Sequence, residues 1–231
     1  MKLIHSFLVS SLMTVVAAAD VFPGANDPVP EPSPGSVRLP QPVSDGPMSL
    51  EKALRDRRSL RHYKNSEISL VQLSQLLWAA QGVSGSGGRR TAPSAGALYP
   101  LDVYAVAGTV IGLSAGVYAY EPHRHALRRI AEGDARADLS SAALGQAPVR
   151  SAAAVLVICA VYERTTVKYG ERGVRYVHME AGHAAQNVHL QAAALGLGTV
   201  VIGAFDDDGV RKVLRMTDRE HPLYLMPVGR P

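Results

Sequence analysis

An apolar run in the second half of the chain constrains the fold more than any other feature. Residues 152–161 read Ala-Ala-Ala-Val-Leu-Val-Ile-Cys-Ala-Val, without a charged side chain. A strand that is apolar on both faces has to be covered on both faces, so the run predicts a central strand with packed layers on either side. Cys159 is the only cysteine, which excludes an internal disulfide, and its apolar neighbours predict that it packs as a small hydrophobic side chain.

Helical and extended patterns alternate irregularly around this strand. Ser49 and a Ser69–Gln72 capping box predict the starts of two helices, and small apolar residues at helical spacing predict a long helix over 176–195. A hairpin is predicted over 116–120 and 126–130. Further strands are predicted at 101–107, 199–202 and 223–228, and further helices at 136–144 and 207–214. The irregular order predicts an α+β fold and not a regular βαβ repeat.

The first residues have the anatomy of a signal peptide. Lys2 precedes an apolar stretch over 3–16, and Ala17-Ala18-Ala19 supplies the small side chains that a signal peptidase needs. We therefore predict a signal peptide at 1–19, export to the periplasm or the medium, and Asp20 as the mature N-terminus. The stretch is shorter than the about 20 apolar residues of a membrane helix, so no integral membrane segment is expected in the mature chain. A buried N-terminal helix is the alternative interpretation.

The rest of the chain divides at a change in composition. Residues 20–47 are rich in proline and show no apolar periodicity, which predicts a flexible linker. Residues 48–231 then form one domain of ordinary size. The net charge of +4 is small and its basic residues are dispersed, so nucleic acid and anionic membrane surfaces are not expected as partners.

Two segments carry donors suited to a phosphate and to a flat ring. The run Arg57-Arg58-Ser59-Leu60-Arg61 offers guanidinium groups and a hydroxyl, which bind phosphate oxygens. The alternative is a basic helix end that complements the helix dipole and otherwise contacts water. The run Pro93-Ser94-Ala95-Gly96-Ala97-Leu98-Tyr99-Pro100 has small residues between stiff prolines, so its backbone could lie against a flat ring. A plain connecting loop is the alternative there.

The histidines of the predicted long helix do not have metal-binding spacing. His178, His183 and His189 share this helix with Glu180. His178 and His183 are separated by five positions, which turns their side chains apart by more than a right angle. The i, i+4 histidine pair of a zinc-protease helix is therefore missing, and no metal site is expected.

Five segments match a known pattern when they are taken in their order along the chain. They are Arg57-Arg58-Ser59-x-Arg61, Pro93 to Pro100, Glu180-Ala181-Gly182-His183-x-x-Gln186-Asn187, Leu195-Gly196-Leu197-Gly198, and Pro227-Val228-Gly229-Arg230-Pro231. Together they resemble the nitroreductase superfamily, and most of all its branch of SagB-type dehydrogenases. That branch includes the oxidases that convert azolines to azoles in peptide natural products. The resemblance covers essentially all of Met48 to Pro231.

The resemblance implies a fold, a cofactor and a set of binding residues. The implied fold is an α+β fold with a central mixed or antiparallel sheet flanked by helices, usually as a homodimer with FMN at the subunit interface. NAD(P)H or another electron donor would supply the electrons. The implied phosphate and ribityl site consists of Arg57, Arg58, Ser59, Arg61, Gly229 and Arg230. The implied ring-facing residues are Pro93, Ser94, Ala95 and Gly96 on one side and Gly198 and Gly203 on the other.

The sequence therefore favours an FMN-dependent oxidoreductase that performs hydride-level redox chemistry on a small molecule or a modified peptide. A non-catalytic domain that binds flavin or a small ligand is the alternative. No obligatory general base is evident, and the ionisable candidates are Tyr99 and His183. Ala97 and Tyr99 stand where typical nitroreductases carry Asn and Gln, so the donors to the ring differ here as they do in the SagB-type branch.

Overall fold

Residues 35–231, which are those the computed structural model describes, form an α+β fold. The strands in this part of the chain are β1 (Ser36–Arg38), β2 (Ile68–Ser69), β3 (Leu101–Ala107), β4 (Val110–Ile111), β5 (Gly116–Glu121), β6 (Ala126–Glu132), β7 (Ala154–Ala160), β8 (Gly198–Thr199) and β9 (His221–Gly229). The α-helices are α1 (Leu50–Asp56), α2 (Leu70–Gln81), α3 (Arg136–Ala142), α4 (Ala147–Ser151), α5 (Glu163–Tyr169), α6 (Arg172–Ala194) and α7 (Asp207–Leu214). Short 3₁₀ turns lie at Ser86–Gly88 and Ala95–Ala97.

Strand β7 occupies the middle of the main sheet, as the apolar run predicted. The sheet has the strand order β1-β6-β5-β3-β7-β9-β8, and β7 pairs antiparallel with β3 and β9. Every residue of β7 is buried. Leu156 and Ile158 enter a core that includes α2 and α6, whereas Val155 and Val157 enter a core that includes α3, α4 and α7. The predicted layers on both faces of this strand are confirmed, and with them the α+β fold.

The predicted helix starts are also confirmed. The Ser49 hydroxyl accepts a hydrogen bond from the Lys52 amide at 3.2 Å and begins α1. Ser69 and Gln72 exchange hydrogen bonds of 3.1 and 3.0 Å between side chain and backbone, which is the capping box that begins α2. The Cys159 thiol is buried, as expected, and burial raises its pKa well above the ordinary value.

Several elements have other bounds than predicted or were not predicted. Helix α6 begins at Arg172 and not at the predicted residue 176. The prediction missed this start because the first turns carry charged and aromatic side chains in place of an apolar stripe. The predicted strand 199–202 is reduced to Gly198–Thr199 and an isolated bridge between Ile202 and Leu225. Helices α4 and α5 were not predicted, since both are short.

The prediction of a flexible linker over 20–47 is wrong for the last part of that segment. Within 20–47, strand β1 pairs antiparallel with β6, and Leu39 beyond it is only 2% exposed. The carbonyl of Pro40 accepts a hydrogen bond of 2.6 Å from Ser74, and the backbone of Val43 exchanges hydrogen bonds of 2.8 and 2.9 Å with the Gln75 side chain. The segment is held by partners far away in the sequence, which its composition does not reveal. The predicted signal peptide at 1–19 and residues 20–34 lie outside the described residues.

Among residues 35–231, no helix combines the length and the apolar character needed to cross a membrane.

Candidate active site

The arginine segment, Arg57 to Arg61, lies along the edge of the main sheet beside β8. Ser59 forms a parallel bridge with Thr199, and the Leu60 amide donates to the Thr199 carbonyl at 2.9 Å. The Tyr63 hydroxyl donates to the Leu60 carbonyl at 2.7 Å and lies 3.0 Å from the Pro227 carbonyl. These contacts bring together two segments that the sequence separates by more than a hundred residues.

Two of the predicted glycines allow this close approach. A Cβ atom added at Gly198 would lie 3.0 Å from the Leu60 side chain, and one added at Gly229 would lie 2.8 Å from Tyr63. Real Cβ atoms do not reach 2.8 Å, so only glycine fits at Gly229 without a shift of Tyr63. Their role in the structure is therefore to seat the arginine segment on the sheet edge.

A cleft of about 180 Å³ opens beside the arginine segment, at the C-terminal end of α6. Arg57 and Arg58 contribute to its wall, together with His189, Thr199 and Pro231. The Nδ1 atom of His189 and the hydroxyl of Thr199 are buried and have no hydrogen-bond partner among residues 35–231. Burial, and secondly the Arg57 guanidinium, lower the pKa of His189, which favours its neutral ring. Cationic side chains therefore lie beside polar atoms that make no hydrogen bond to residues 35–231.

Of the remaining residues of the predicted phosphate site, only Arg58 lines this cleft. Arg58 folds back and donates to the carbonyls of Arg55 and Arg57 at 2.7 and 2.8 Å. Arg61 is exposed. The Nε of Arg230 donates to the Glu67 carbonyl at 3.1 Å, so this side chain points along the end of β9. Arg57 is the arginine that the structure places most directly beside the buried polar groups.

The predicted ring-facing segment is a strained turn. Gly96 has a φ of 63°, and two residues with side chains, Ala97 and Tyr99, have φ values of 56° and 45°. Such left-handed conformations cost free energy in residues other than glycine and persist only where surrounding contacts hold them. Here the Tyr99 amide donates to the Ser94 hydroxyl at 2.9 Å, which closes the turn. Strain of this kind is typical of binding segments.

Two residues that sequence analysis did not select lie directly against this turn. A Cβ added at Gly96 would lie 2.8 Å from the Tyr169 hydroxyl and 3.1 Å from the Lys168 Nζ atom. The Lys168 Nζ lies 5.5 Å from the centre of the Tyr169 ring. Both residues belong to α5, which was not predicted, so no pattern in the sequence connected them to Gly96. An amine and a phenol thus lie next to Gly96 in this turn.

The two catalytic candidates named from the sequence have different surroundings. The Tyr99 hydroxyl accepts a hydrogen bond of 3.2 Å from the Arg90 amide, and the Arg90 guanidinium lies 4.8 Å from the centre of its ring. His183 is exposed on α6, and Gly203 is exposed on the loop before α7. Tyr99 therefore has a clear role in holding the turn, whereas neither His183 nor Gly203 touches the arginine segment through a described hydrogen bond.

The phosphate half and the ring half of the predicted site contact different parts of α6. Ser94 faces Glu180, while the cleft beside Arg57 reaches Ala192. At a rise of 1.5 Å per residue, these two positions on α6 are about 18 Å apart. Groups of three or more His, Cys, Asp or Glu side chains placed to hold a metal ion do not occur in the described part of the chain.

The comparisons with known proteins agree with this arrangement. The model of the nitroreductase family matches residues 54–230. MJ1384 of Methanocaldococcus jannaschii, which carries a provisional nitroreductase name, is 51% identical over 183 residues, or 79% of this chain and 91% of that protein. A crystal structure from Ralstonia eutropha JMP134, also provisionally named a nitroreductase, has a TM-score of 0.74 and 32% identity over 85% of this chain and 89% of that one.

A further relative is a microcin B17-processing protein. McbC of Escherichia coli, a microcin B17-processing protein, is 32% identical over 136 residues, which are 57% of this chain and 50% of McbC. The chain therefore spans about half of that relative. The match agrees with the predicted resemblance to the SagB-type branch. The chain belongs to the nitroreductase family, whose members are flavin-dependent oxidoreductases.

Proposed function

We propose that this protein binds FMN and uses it for hydride-level redox chemistry on a modified peptide or a small molecule. The observation that carries the proposal is the cleft at the end of α6, where Arg57 adjoins the unpartnered polar atoms of His189 and Thr199. A phosphate group supplies oxygens that accept from guanidinium and hydroxyl donors, so it would satisfy groups that are otherwise costly to bury. Asp56 also lines the cleft, but its carboxylate is paired with Lys52 and Arg55, so the charges of Arg57 and Arg58 are not cancelled by it and the residues present fit the phosphate of FMN.

Each half of the site has its own task in this proposal. Arg57, Ser59 and Arg61, with Gly229 and Arg230, hold the phosphate and the ribityl chain. The backbone of Pro93, Ser94, Ala95 and Gly96 lies along one face of the ring, and Gly198 and Gly203 border the other. When bound, FMN supplies the acceptor and donor of hydride, and the protein supplies orientation and hydrogen bonds.

Lys168 and Tyr169 are the proposed proton carriers. They lie against Gly96, at the turn assigned to the ring, so a substrate stacked on that ring would come within reach of an amine and a phenol. Proton transfer requires a group within hydrogen-bond distance of the reacting atom. By this criterion they are better placed than Tyr99, whose hydroxyl is already bound by the Arg90 amide, or than His183, which does not lie against Gly96.

A modified peptide is the preferred substrate class within this proposal, because McbC is named for the processing of a peptide, microcin B17. A homodimer with the flavin at the subunit interface is also proposed. It is supported by an apolar cleft of about 500 Å³ between α1, α2 and α6, lined by Leu50, Trp78 and Leu190, and by the exposure of Leu50 and Leu54 beside it. Such exposed apolar surface favours association.

The proposed function is tested by the colour and redox behaviour of the purified protein. We expect flavin absorbance that bleaches with a chemical reductant or NAD(P)H and returns with oxygen. FMN, and not riboflavin, should be released on denaturation. An azoline-containing peptide should then be oxidised by two electrons per turnover, with the mass falling by two hydrogens. A protein that neither retains nor takes up FMN would contradict the proposal and favour a non-catalytic ligand-binding domain.

We also propose that the protein is exported. Ala17-Ala18-Ala19 after the apolar stretch predicts cleavage before Asp20. Mass spectrometry of the protein recovered from a bacterial host should give a chain that begins at Asp20, in the periplasmic or extracellular fraction. A chain that retains Met1 in the cytoplasmic fraction would contradict export.

A further inference from the structure

Glu180 is a carboxyl group on the apolar face of the longest helix. The buried residues of α6 recur at helical spacing and include Val177, Ala181, Ala184 and Val188, and Glu180 lies on the same stripe with 2% of its surface exposed. A buried carboxylate is costly unless it is paired. Packing alone therefore does not explain a carboxyl group in this apolar stripe.

The polar groups around Glu180 come from three elements. Gln81 ends α2 and is fully buried, Arg90 precedes the strained turn, and Ser94 begins that turn. Arg90 donates to the Gln81 side-chain oxygen at 2.9 Å, and its own charge is balanced further out by Asp102, which Arg164 also pairs at 2.8 Å. Within residues 35–231, the Oε1 of Glu180 and the Nε2 of Gln81 are buried without a hydrogen-bond partner.

Burial raises the pKa of Glu180 to about 7. Ser94, Arg90 and Gln81 act in the opposite direction but do not outweigh it. The carboxyl group thus exchanges its proton near neutral pH. A neutral carboxyl can donate a hydrogen bond to the Ser94 hydroxyl, whereas a carboxylate can only accept one from it.

The partners of Glu180 are the same residues that hold the strained turn. The Ser94 hydroxyl accepts from the Tyr99 amide, the Arg90 amide donates to the Tyr99 hydroxyl, and the Arg90 guanidinium stacks on the Tyr99 ring. The two non-glycine left-handed residues, Ala97 and Tyr99, lie inside the turn that these contacts close. Any change in the hydrogen bonds of Glu180 therefore reaches the turn through Ser94.

We propose that Glu180 is a positioning residue that acts on the flavin through Ser94, by holding the turn from Ala95 to Ala97 in its strained conformation. The proposal rests on the proposed function, because it takes this turn as the segment that lies along the ring. Loss of the proton leaves Glu180 a carboxylate that can only accept from the Ser94 hydroxyl, and because a hydrogen bond to a charged group is the stronger one, the carboxylate holds the turn more tightly. Order in the turn and affinity for FMN should consequently titrate together.

The test uses the full-length chain and two readouts, one of which needs no flavin. The first is hydrogen exchange of the segment from Ser94 to Leu101 in the protein without FMN, between pH 5.5 and 8.5, after correction for the intrinsic pH dependence of exchange. The second is the Kd for FMN over the same range. The loss or gain of one hydrogen bond changes a hydrogen-exchange rate or a Kd by about 2- to 10-fold. We expect both readouts to change by this factor, with a common midpoint near the pKa of Glu180, which is about 7.

Three variants separate the proposal from other causes. Glu180→Gln should remove from both readouts the transition with a midpoint near pH 7, since it keeps the shape but cannot ionise. The second ionisation of the FMN phosphate, at about pH 6, remains in the Kd profile of every variant. Glu132→Gln, on an exposed residue of β6, should leave both profiles unchanged. Ser94→Ala should abolish the transition near pH 7 in the FMN Kd even where Glu180→Gln fails to fold. A native profile without this transition, or a transition near pH 7 that survives in Glu180→Gln or Ser94→Ala, would overturn the proposal.

The two readouts also distinguish this inference from the proposed function. If hydrogen exchange of the turn titrates with Glu180 but FMN does not bind, control of the turn by Glu180 stands and the flavin assignment fails. If FMN binds with an affinity that shows no transition near pH 7 while the turn also fails to titrate, the proposed function stands and the role of Glu180 is excluded.

Discussion

Replacing Leu39 by alanine is expected to lower the free energy of unfolding by about 2–4 kcal/mol, because a leucine in a core loses both transfer energy and packing when it is truncated. Leu39 is 2% exposed and packs into the core that contains α2 and α6. A flexible linker at this position would predict no change. Chemical denaturation of the two proteins, followed by circular dichroism, measures the difference.

Further variants and deletions test whether the loss of stability comes from the contacts of residues 36–43. Val43→Ala should cost little, because the Val43 side chain is 56% exposed and its hydrogen bonds to Gln75 use the backbone. Deletion of 36–43 should destabilise at least as much as Leu39→Ala, since it also removes the partners of Ser74, Gln75 and β6. Deletion of 20–34 alone should leave the unfolding transition in place. Equal stability of Leu39→Ala and the native protein would contradict the packing of Leu39 into the core.

The error over this segment has a physical origin. Val37 and Leu39 alternate as in a strand, but the pattern is short and the prolines at 40 and 42 interrupt it. The stabilising contacts come from elsewhere: His125 lies 2.8 Å from the Pro40 carbonyl, and Ser74 donates to the same atom. Local composition cannot report contacts made by residues that are distant in the sequence. Strand β7 was predictable because its own residues carry the whole signal.

In the candidate site, too, local sequence patterns predict some features, whereas others depend on contacts between residues that are distant in the sequence. The capping residues, the arginine segment and the glycines were selected from local patterns and an ordered resemblance. Their meeting at the sheet edge depends on Leu60 bonding to Thr199 and Tyr63 contacting Pro227, which no local pattern contains. Lys168 and Tyr169 were missed because α5 is short and exposes Val167, so it lacks an apolar stripe. Glu180 did carry a local signal, since it interrupts the apolar stripe of α6.

Removing one arginine from the proposed phosphate site is expected to weaken FMN binding by about 10- to 100-fold. A phosphate carries about −1.5 to −2 charges at neutral pH, and a hydrogen bond to a charged group contributes roughly 1.5–3 kcal/mol. Arg57 is the first choice, because it lines the cleft with His189 and Thr199, and Arg61 is the second. Arg219→Ala is the matched control, since this exposed residue precedes β9 at the end opposite Gly229.

Riboflavin separates loss of phosphate binding from general damage, because it carries the ring and ribityl chain of FMN without the phosphate. The native protein should bind riboflavin much more weakly than FMN. Arg57→Ala should bind riboflavin nearly as well as the native protein does, and the unfolding transition should be retained because the side chain lies in the cleft wall and not in either core. Titration by flavin fluorescence gives all the dissociation constants. If Arg57→Ala and Arg61→Ala weaken riboflavin and FMN by the same factor, the arginine segment does not hold the phosphate, and the cleft at the end of α6 has to be assigned to another ligand.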